Sequence, residues 1–218
     1  MKLEKYTEQI KRLPVSGKQI IGRIEGENII VYQAFNPNIS RYAVENQKFG
    51  GEHYSFNRMS WIKPGFLWMM YRAGWASKEH QQHILAITLP MNHFKTILRN
   101  ATITSFDLMM DERIFETHDE WKAELENTEV RLQWDPDHDP NGNKQNRKAI
   151  QLGMKGEILK KFATEWILEI EDITPFVKNE YEKVKAGLLN ELDIPYEEVI
   201  VLEEAEINER LGIFNLKV

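Results

Sequence analysis

Three fixed cations, Arg58, Lys63 and Arg72, stand inside a run of eighteen residues that also holds three of the six tryptophans, Trp61, Trp68 and Trp75. The same run carries Phe66, Tyr71 and three methionines. Long cations are rarely buried without a partner, and a helix that is apolar nearly all round is usually buried. Either these cations reach the surface along their stems, or they line a pocket that needs positive charge. In the second case Arg58 and Lys63 would hold phosphates, and Trp61, Trp68, Tyr71, Arg72 and Trp75 would supply rings and a further charge for a nucleotide or a nucleic-acid end.

Other polar residues stand among rings elsewhere in the chain and join the candidate ligand wall: Gln33, Arg41, Gln133, Asp135, Arg147 and Gln151. Gln33 lies inside an apolar strand, where alternation places a polar side chain on the solvent face. Asp135, Asp137 and Asp139 alternate in the manner of a calcium loop. Pro140 stands where the sharp-turn glycine is needed and Asn146 where the bidentate glutamate is needed, so ordinary turn chemistry explains them better. His80 and His83 lack the helical His-Glu-x-x-His spacing, and no metal is expected. A glycine-rich phosphate loop, a nucleophile elbow and a Ser-His-Asp order are all missing from the sequence.

The elements that must position these groups follow from local signals. Strands are expected over 18–24 and 28–35, joined by Glu25-Gly26-Glu27. Asn38 or Ser40 caps a helix to about residue 48. Ser60 and Pro64 open a short central helix over 64–73, closed by Gly74. A buried strand spans 83–90, with a helix over 93–100 capped by Asn92. Further strands are expected at 103–109, 129–134, 147–153, 166–173 and 199–202, with helices over 119–126, 156–163 and 175–192. The 129–134 and 147–153 strands pair as a long-looped hairpin.

Composition sets the frame. The 218 residues are 42% hydrophobic and 11% aromatic, enough for one folded core. The expected class is α+β: a single domain over 1–218 with a mostly antiparallel, twisted sheet, helices packed on its faces, and residues 1–17 as an N-terminal extension. A net charge of −6 argues against broad nonspecific nucleic-acid binding while allowing a local basic pocket. The chain has no cysteine, which excludes disulfide and thiolate chemistry and fits a cytoplasmic location. No apolar run approaches the length of a membrane span.

The segments Tyr32-Gln-Ala-Phe35, Arg58-Met-Ser-Trp-Ile-Lys-Pro-Gly-Phe-Leu-Trp-Met-Met-Tyr-Arg-Ala-Gly-Trp75, Ile84-Leu-Ala-Ile87, Val130-Arg-Leu-Gln-Trp-Asp-Pro136 and Arg147-Lys-Ala-Ile-Gln-Leu-Gly153 closely resemble the domain-of-unknown-function family 4291 of bacteria and fungi. The resemblance covers about residues 18–200 and implies single-domain proteins of this size. A looser similarity, of Asn57-Arg58-Met-Ser-Trp61 leading to the 84–89 strand, is to the early half of nucleic-acid-type ADP-ribosyltransferases. That similarity implies NAD as cofactor, a nucleic acid as substrate, and a late glutamate that stabilises the ribosyl cation. Glu165, Glu169 and Glu171 flank a late strand and their spacing does not choose among them; Glu169 is carried as the candidate. The alternatives are a non-enzymatic module that binds a nucleotide or a nucleic-acid end and a protein–protein interaction domain.

Overall fold

The computed structural model describes residues 1–106 and 114–213. The chain opens with β1 (Leu3–Lys5) and α1 (Tyr6–Arg12), followed by β2 (Gly17–Lys18), β3 (Ile21–Glu25) and β4 (Asn28–Phe35). The hairpin turn falls on Gly26 and Glu27 as expected, with Gly26 at φ +60°. Next come α2 (Pro37–Asn46), β5 (Ser60–Ile62), α3 (Phe66–Ala73), β6 (His83–Pro90), α4 (Met91–Arg99) and β7 (Ala101–Ile103). The second half adds α5 (His118–Asn127), β8 (Val130–His138), β9 (Lys144–Met154), α6 (Gly156–Lys161), a π-turn at Phe162–Trp166, β10 (Glu169–Asp172), α7 (Thr174–Lys185), β11 (Asp193–Pro195), β12 (Glu198–Val199) and α8 (Ala205–Leu211).

One sheet runs β10-β6-β4-β3-β12, all antiparallel. A second runs β2-β9-β8-β7, and β5 adds to β9 beyond the end of β2. β2–β9 and β7–β8 are parallel. β1 pairs with β11 in a separate ribbon. The result is an α+β domain with mostly antiparallel sheets and helices on their faces. Successive residues of β4 enter different cores: Ile29 and Val31 join Leu85, Ile87 and Leu89 on one face, and Ile30 and Tyr32 join Ile84, Ala86 and α3 on the other. A strand covered on both faces is continuously apolar, which is why β4 and β6 stand out in the sequence.

This double coverage corrects the reading of Gln33. β4 has no solvent face there; Gln33 is buried and donates from Nε2 to Ser60 Oγ (2.8 Å) and to the Trp61 carbonyl (3.1 Å). Ser60 lies in β5 rather than capping a helix. α2 is capped by Asn36, whose Oδ1 accepts from the amides of Asn38 and Ile39, because Pro37 presets the first helical residue and holds Asn36 extended. α7 stops at Lys185, short of 192, with Gly187 in the left-handed region at φ +73°. The π-turn takes up 162–166, so β10 begins only at Glu169. Of the 103–109 strand expectation only Ile103 is strand, as the last residue of β7; residues 104–106 are not, and 107–109 lie outside the described residues. Residues 1–17 are woven into the fold through β1–β11 and a buried Gln9. Among the described residues no helix is long and apolar enough to cross a membrane.

Candidate functional site

The site forms where the two sheets meet. β5 pairs with β9 through Ser60–Met154, Trp61–Gly153 and Ile62–Leu152. The next residue, Lys63, crosses to the other sheet: its amide donates to the Tyr32 carbonyl (3.1 Å), and the Tyr32 amide donates back to the Lys63 carbonyl (2.8 Å). Lys63 is thus fixed at a seam by its own backbone. Pro64 and Gly65 then turn the chain into α3, whose first amide, Phe66 N, donates to Glu197 Oε1 at 2.7 Å. A carboxyl oxygen from the β11–β12 connection therefore does the capping that no local side chain does.

The far end of α3 is closed by Gly74 at φ +56°, with Gly74 N donating to the Tyr71 carbonyl and Trp75 N to the Met70 carbonyl. Trp75 and Ala76 continue at φ +54° and +64°. Non-glycine residues there cost about 1–3 kcal/mol each and persist only when packing overdetermines them. Trp75 supplies that packing: it stacks on Tyr181, meets Phe66 edge-on, and donates from Nε1 to the Pro140 carbonyl at 3.2 Å.

The third wall is the β8–β9 hairpin. Gln133 faces Gln151 and Asp135 faces Ala149 in register, so Gln133, Asp135 and Gln151 share one face of it. Leu132, Trp134, Ile150 and Leu152 point the other way into the first core. Gly153 makes room for Trp61: a Cβ there would sit 2.7 Å from Met59 Sδ and 2.7 Å from the indole of Trp61.

Between these walls lies a cleft of about 420 Å³. Trp61 and Trp68 form its sides, Lys63 and Arg72 bring positive charge, and Gln133, Asp135 and Gln151 line the hairpin side; Gln81 completes it. Seven of the candidate residues read from the sequence meet here. Asp135 is its one acidic residue, held by Gln133 Nε2 on Oδ1 (3.0 Å) and by Gln151 Nε2 on Oδ2 (2.8 Å). Lys63 is only 6% exposed, and its Nζ has neither a hydrogen-bond acceptor nor an ion-pair partner among the described residues. Burial, reinforced by the neighbouring Arg72 and offset in part by Asp135, brings its ammonium down to about 7. The Arg72 guanidinium, on the exposed side of α3, is likewise unpaired among the described residues. Two uncompensated cations on one cleft are what an anionic ligand would complete.

The remaining candidates lie elsewhere. Tyr71 buttresses Trp68, with its ring stacked on His138 at 3.4 Å between centroids. Trp75 belongs to the second core. Arg41 is exposed on α2, and Arg58 is exposed in the segment before β5. Glu169 is exposed on edge strand β10, with β6 and β4 between it and Lys63. Arg147 is buried and donates from Nε to Asp137 Oδ2 at 2.6 Å, next to a small internal cavity shared with Gln9 and Glu197. The three alternating aspartates diverge: Asp135 faces the cleft, Asp137 pairs with Arg147, and Asp139 accepts the amides of Asn141 and Asn143 in the hairpin turn. Glu197 had no sequence signal. Burial and nearby Asp137 push it up to about 8, against the pull of the Phe66 amide, Arg147 and Arg23. Gln81 gave none either, since it stands in a polar connector.

A search of curated proteins finds no match to the chain. A family model described as "Domain of unknown function (DUF4291)" matches residues 19–200, a span that takes in every residue lining the cleft. The chain belongs to the DUF4291 family.

Proposed function

We propose that the cleft binds a phosphorylated small molecule of nucleotide size. The observation that carries this reading is the pair of unpartnered cations, Lys63 and Arg72, on a cleft walled by Trp61 and Trp68. The volume, about 420 Å³, suits a ligand of that size. Lys63 and Arg72 would take the phosphate, an indole face would take the ring, and the Gln133–Asp135–Gln151 cluster offers acceptors and donors for hydroxyls.

NAD-dependent transfer is the more specific form of this reading. In it Asp135, rather than Glu169, would be the carboxylate close enough to steady a developing cation, since Asp135 lines the cleft and Glu169 does not. Binding without chemistry uses the same groups and needs fewer assumptions.

A thermal-shift screen of ADP, NAD, ADP-ribose and a short 5′-phosphorylated oligonucleotide tests the reading on wild type, Lys63→Met and Arg72→Gln. A ligand at a hundredfold excess over its dissociation constant adds about 2.7 kcal/mol of stability. The expected result is a shift in wild type that disappears in both folded variants. No shift with any of the four, or a shift that survives both substitutions, overturns it. A shift with the oligonucleotide alone would move the reading to a nucleic-acid end.

A further inference from the structure

We infer that Lys63 is a covalent nucleophile toward an aldehyde: the cleft takes a phosphorylated sugar in its open-chain form and holds it as an imine on Lys63 Nζ. This rests on the phosphate-binding reading, leaves the phosphate to Arg72, and extends the role of Lys63 from binding to bond formation. Three observations on the geometry carry it. The lysine is buried at a seam where its backbone is pinned to β4, so its amine is presented from a rigid base. No acceptor neutralises or engages Nζ among the described residues, unlike structural lysines of this chain such as Lys183, which is clamped by Glu180 (2.8 Å) and Asp193 (3.2 Å). Arg72 adds like charge beside it, and a second cation next to a desolvated lysine favours the free amine that attacks carbonyls. The depression of its ammonium to about 7 is consistent with that arrangement.

Arg72 and Asp135 divide the remaining work. Arg72, at the exposed rim, pairs with the phosphate and sets the carbonyl end inward. The neutral amine attacks the carbonyl carbon, forming a C–N bond while the C=O π pair moves to oxygen. One nitrogen proton passes through Asp135 to that oxygen, giving the carbinolamine. The nitrogen lone pair then forms C=N as the C–O bond breaks, and a second proton leaves with the oxygen as water. The sum is amine plus aldehyde giving imine plus water, with no oxidant or reductant. The two glutamines that hold Asp135 keep its carboxylate oriented for both transfers.

The test uses ribose 5-phosphate and sodium cyanoborohydride, which delivers hydride to the imine carbon and fixes it as a secondary amine, followed by peptide mass spectrometry. The expected result is one adduct per chain on the peptide containing Lys63, lost in Lys63→Met, slowed in Asp135→Asn and suppressed by excess ADP. Thermal melts of the same variants confirm that each is folded. Ribitol 5-phosphate, which has the phosphate and no carbonyl, separates the two claims. A melting shift with ribitol 5-phosphate but no Lys63 adduct overturns the nucleophile and leaves phosphate binding intact. No adduct, together with no shift from ribitol 5-phosphate or from any ligand of the nucleotide screen, overturns both. Labelling spread over the surface lysines, with Lys63 unmarked, also overturns the nucleophile.

Discussion

Lys63 and Arg72 face the same cleft from two different elements, one from the end of a strand and the other from the last turn of the helix that follows it, and neither has an anion to pair with. Their mutual repulsion is tolerated because Arg72 keeps its head in solvent while Lys63 is held by its backbone bridge to Tyr32. Natural folds rarely keep a buried ammonium without compensation. Its retention at this point supports the proposed ligand site more strongly than any of the rings around it.

Replacing Lys63 by methionine should therefore separate stability from binding. The native ammonium loses its proton near pH 7, well below an unfolded lysine at 10.5, so Lys63 adds stability as pH rises from about 7 to 10.5 and contributes least below pH 7. Lys63→Met should stabilise the protein most at pH 6, with the gain shrinking above pH 7 by up to about 1.4 kcal/mol per pH unit. Urea unfolding at pH 6, 7 and 9 measures this. A variant less stable than wild type at pH 6 would mean that the ammonium is compensated.

Glu197 should produce the opposite slope. Its carboxyl keeps a proton up to about pH 8 in the fold, whereas an unfolded glutamate releases it near 4.5. Its contribution is complete below pH 4.5 and is lost as pH rises towards 8. Glu197→Gln, which preserves an acceptor for the Phe66 amide, should match wild type near pH 4.5 and gain on it by up to about 1.4 kcal/mol per pH unit above that. Identical pH profiles for the two proteins would refute the buried acid.

Arg147 acts on folding. Truncating one member of a buried ion pair costs about 3–5 kcal/mol, because the other charge is left without a partner. Arg147→Leu should be destabilised by that amount, and Arg147→Leu combined with Asp137→Leu should recover a large part of it. Chemical denaturation of the two single variants and the double variant decides the matter. The Lys63 cleft should still bind in whatever fraction remains folded.

Gly153→Ala probes the indole wall. Its added methyl meets Met59 and Trp61 and forces one of them to move. Overpacking of this kind costs about 1–3 kcal/mol. The affinity measured by titration should fall with it, since Trp61 is a side of the cleft. Unchanged affinity in a destabilised variant would take Trp61 out of ligand binding.

Much of this architecture is legible in the residues themselves. β6 was readable to both ends because it is apolar throughout and closed by Pro90, and β4 because Glu25-Gly26-Glu27 marks its turn. The cleft was legible as a set of polar residues among rings, but which of them meet was not: that depends on the β8–β9 register, where Gln133 faces Gln151 while Asp137 and Arg147 fall at the other end of the same face. β8 also runs on to His138, past the expected end at Trp134. β7 pairs only with residues 130–132, so Pro136 lies where the strand has a free edge and its missing amide proton costs no pairing. Arg147 reads like any other arginine beside apolar residues; only the fold shows that it faces Asp137. Glu197 and Gln9 are beyond sequence reasoning, because their meeting spans almost the whole chain.

The capping of α3 by Glu197 has a consequence for shortened forms of the protein. Gln9 Oε1 accepts from the Glu197 amide at 2.7 Å, and Arg12 Nη1 donates to the Glu197 carbonyl at 2.9 Å, so the first dozen residues hold the backbone of the capping residue from both sides. A chain cut back to Gln19 would keep the whole family-matched span and every residue of the cleft, yet lose the brace behind the helix that carries Trp68 and Arg72. The cleft is braced from outside its own boundaries, and the unit that holds its shape is longer than the span that the family match covers.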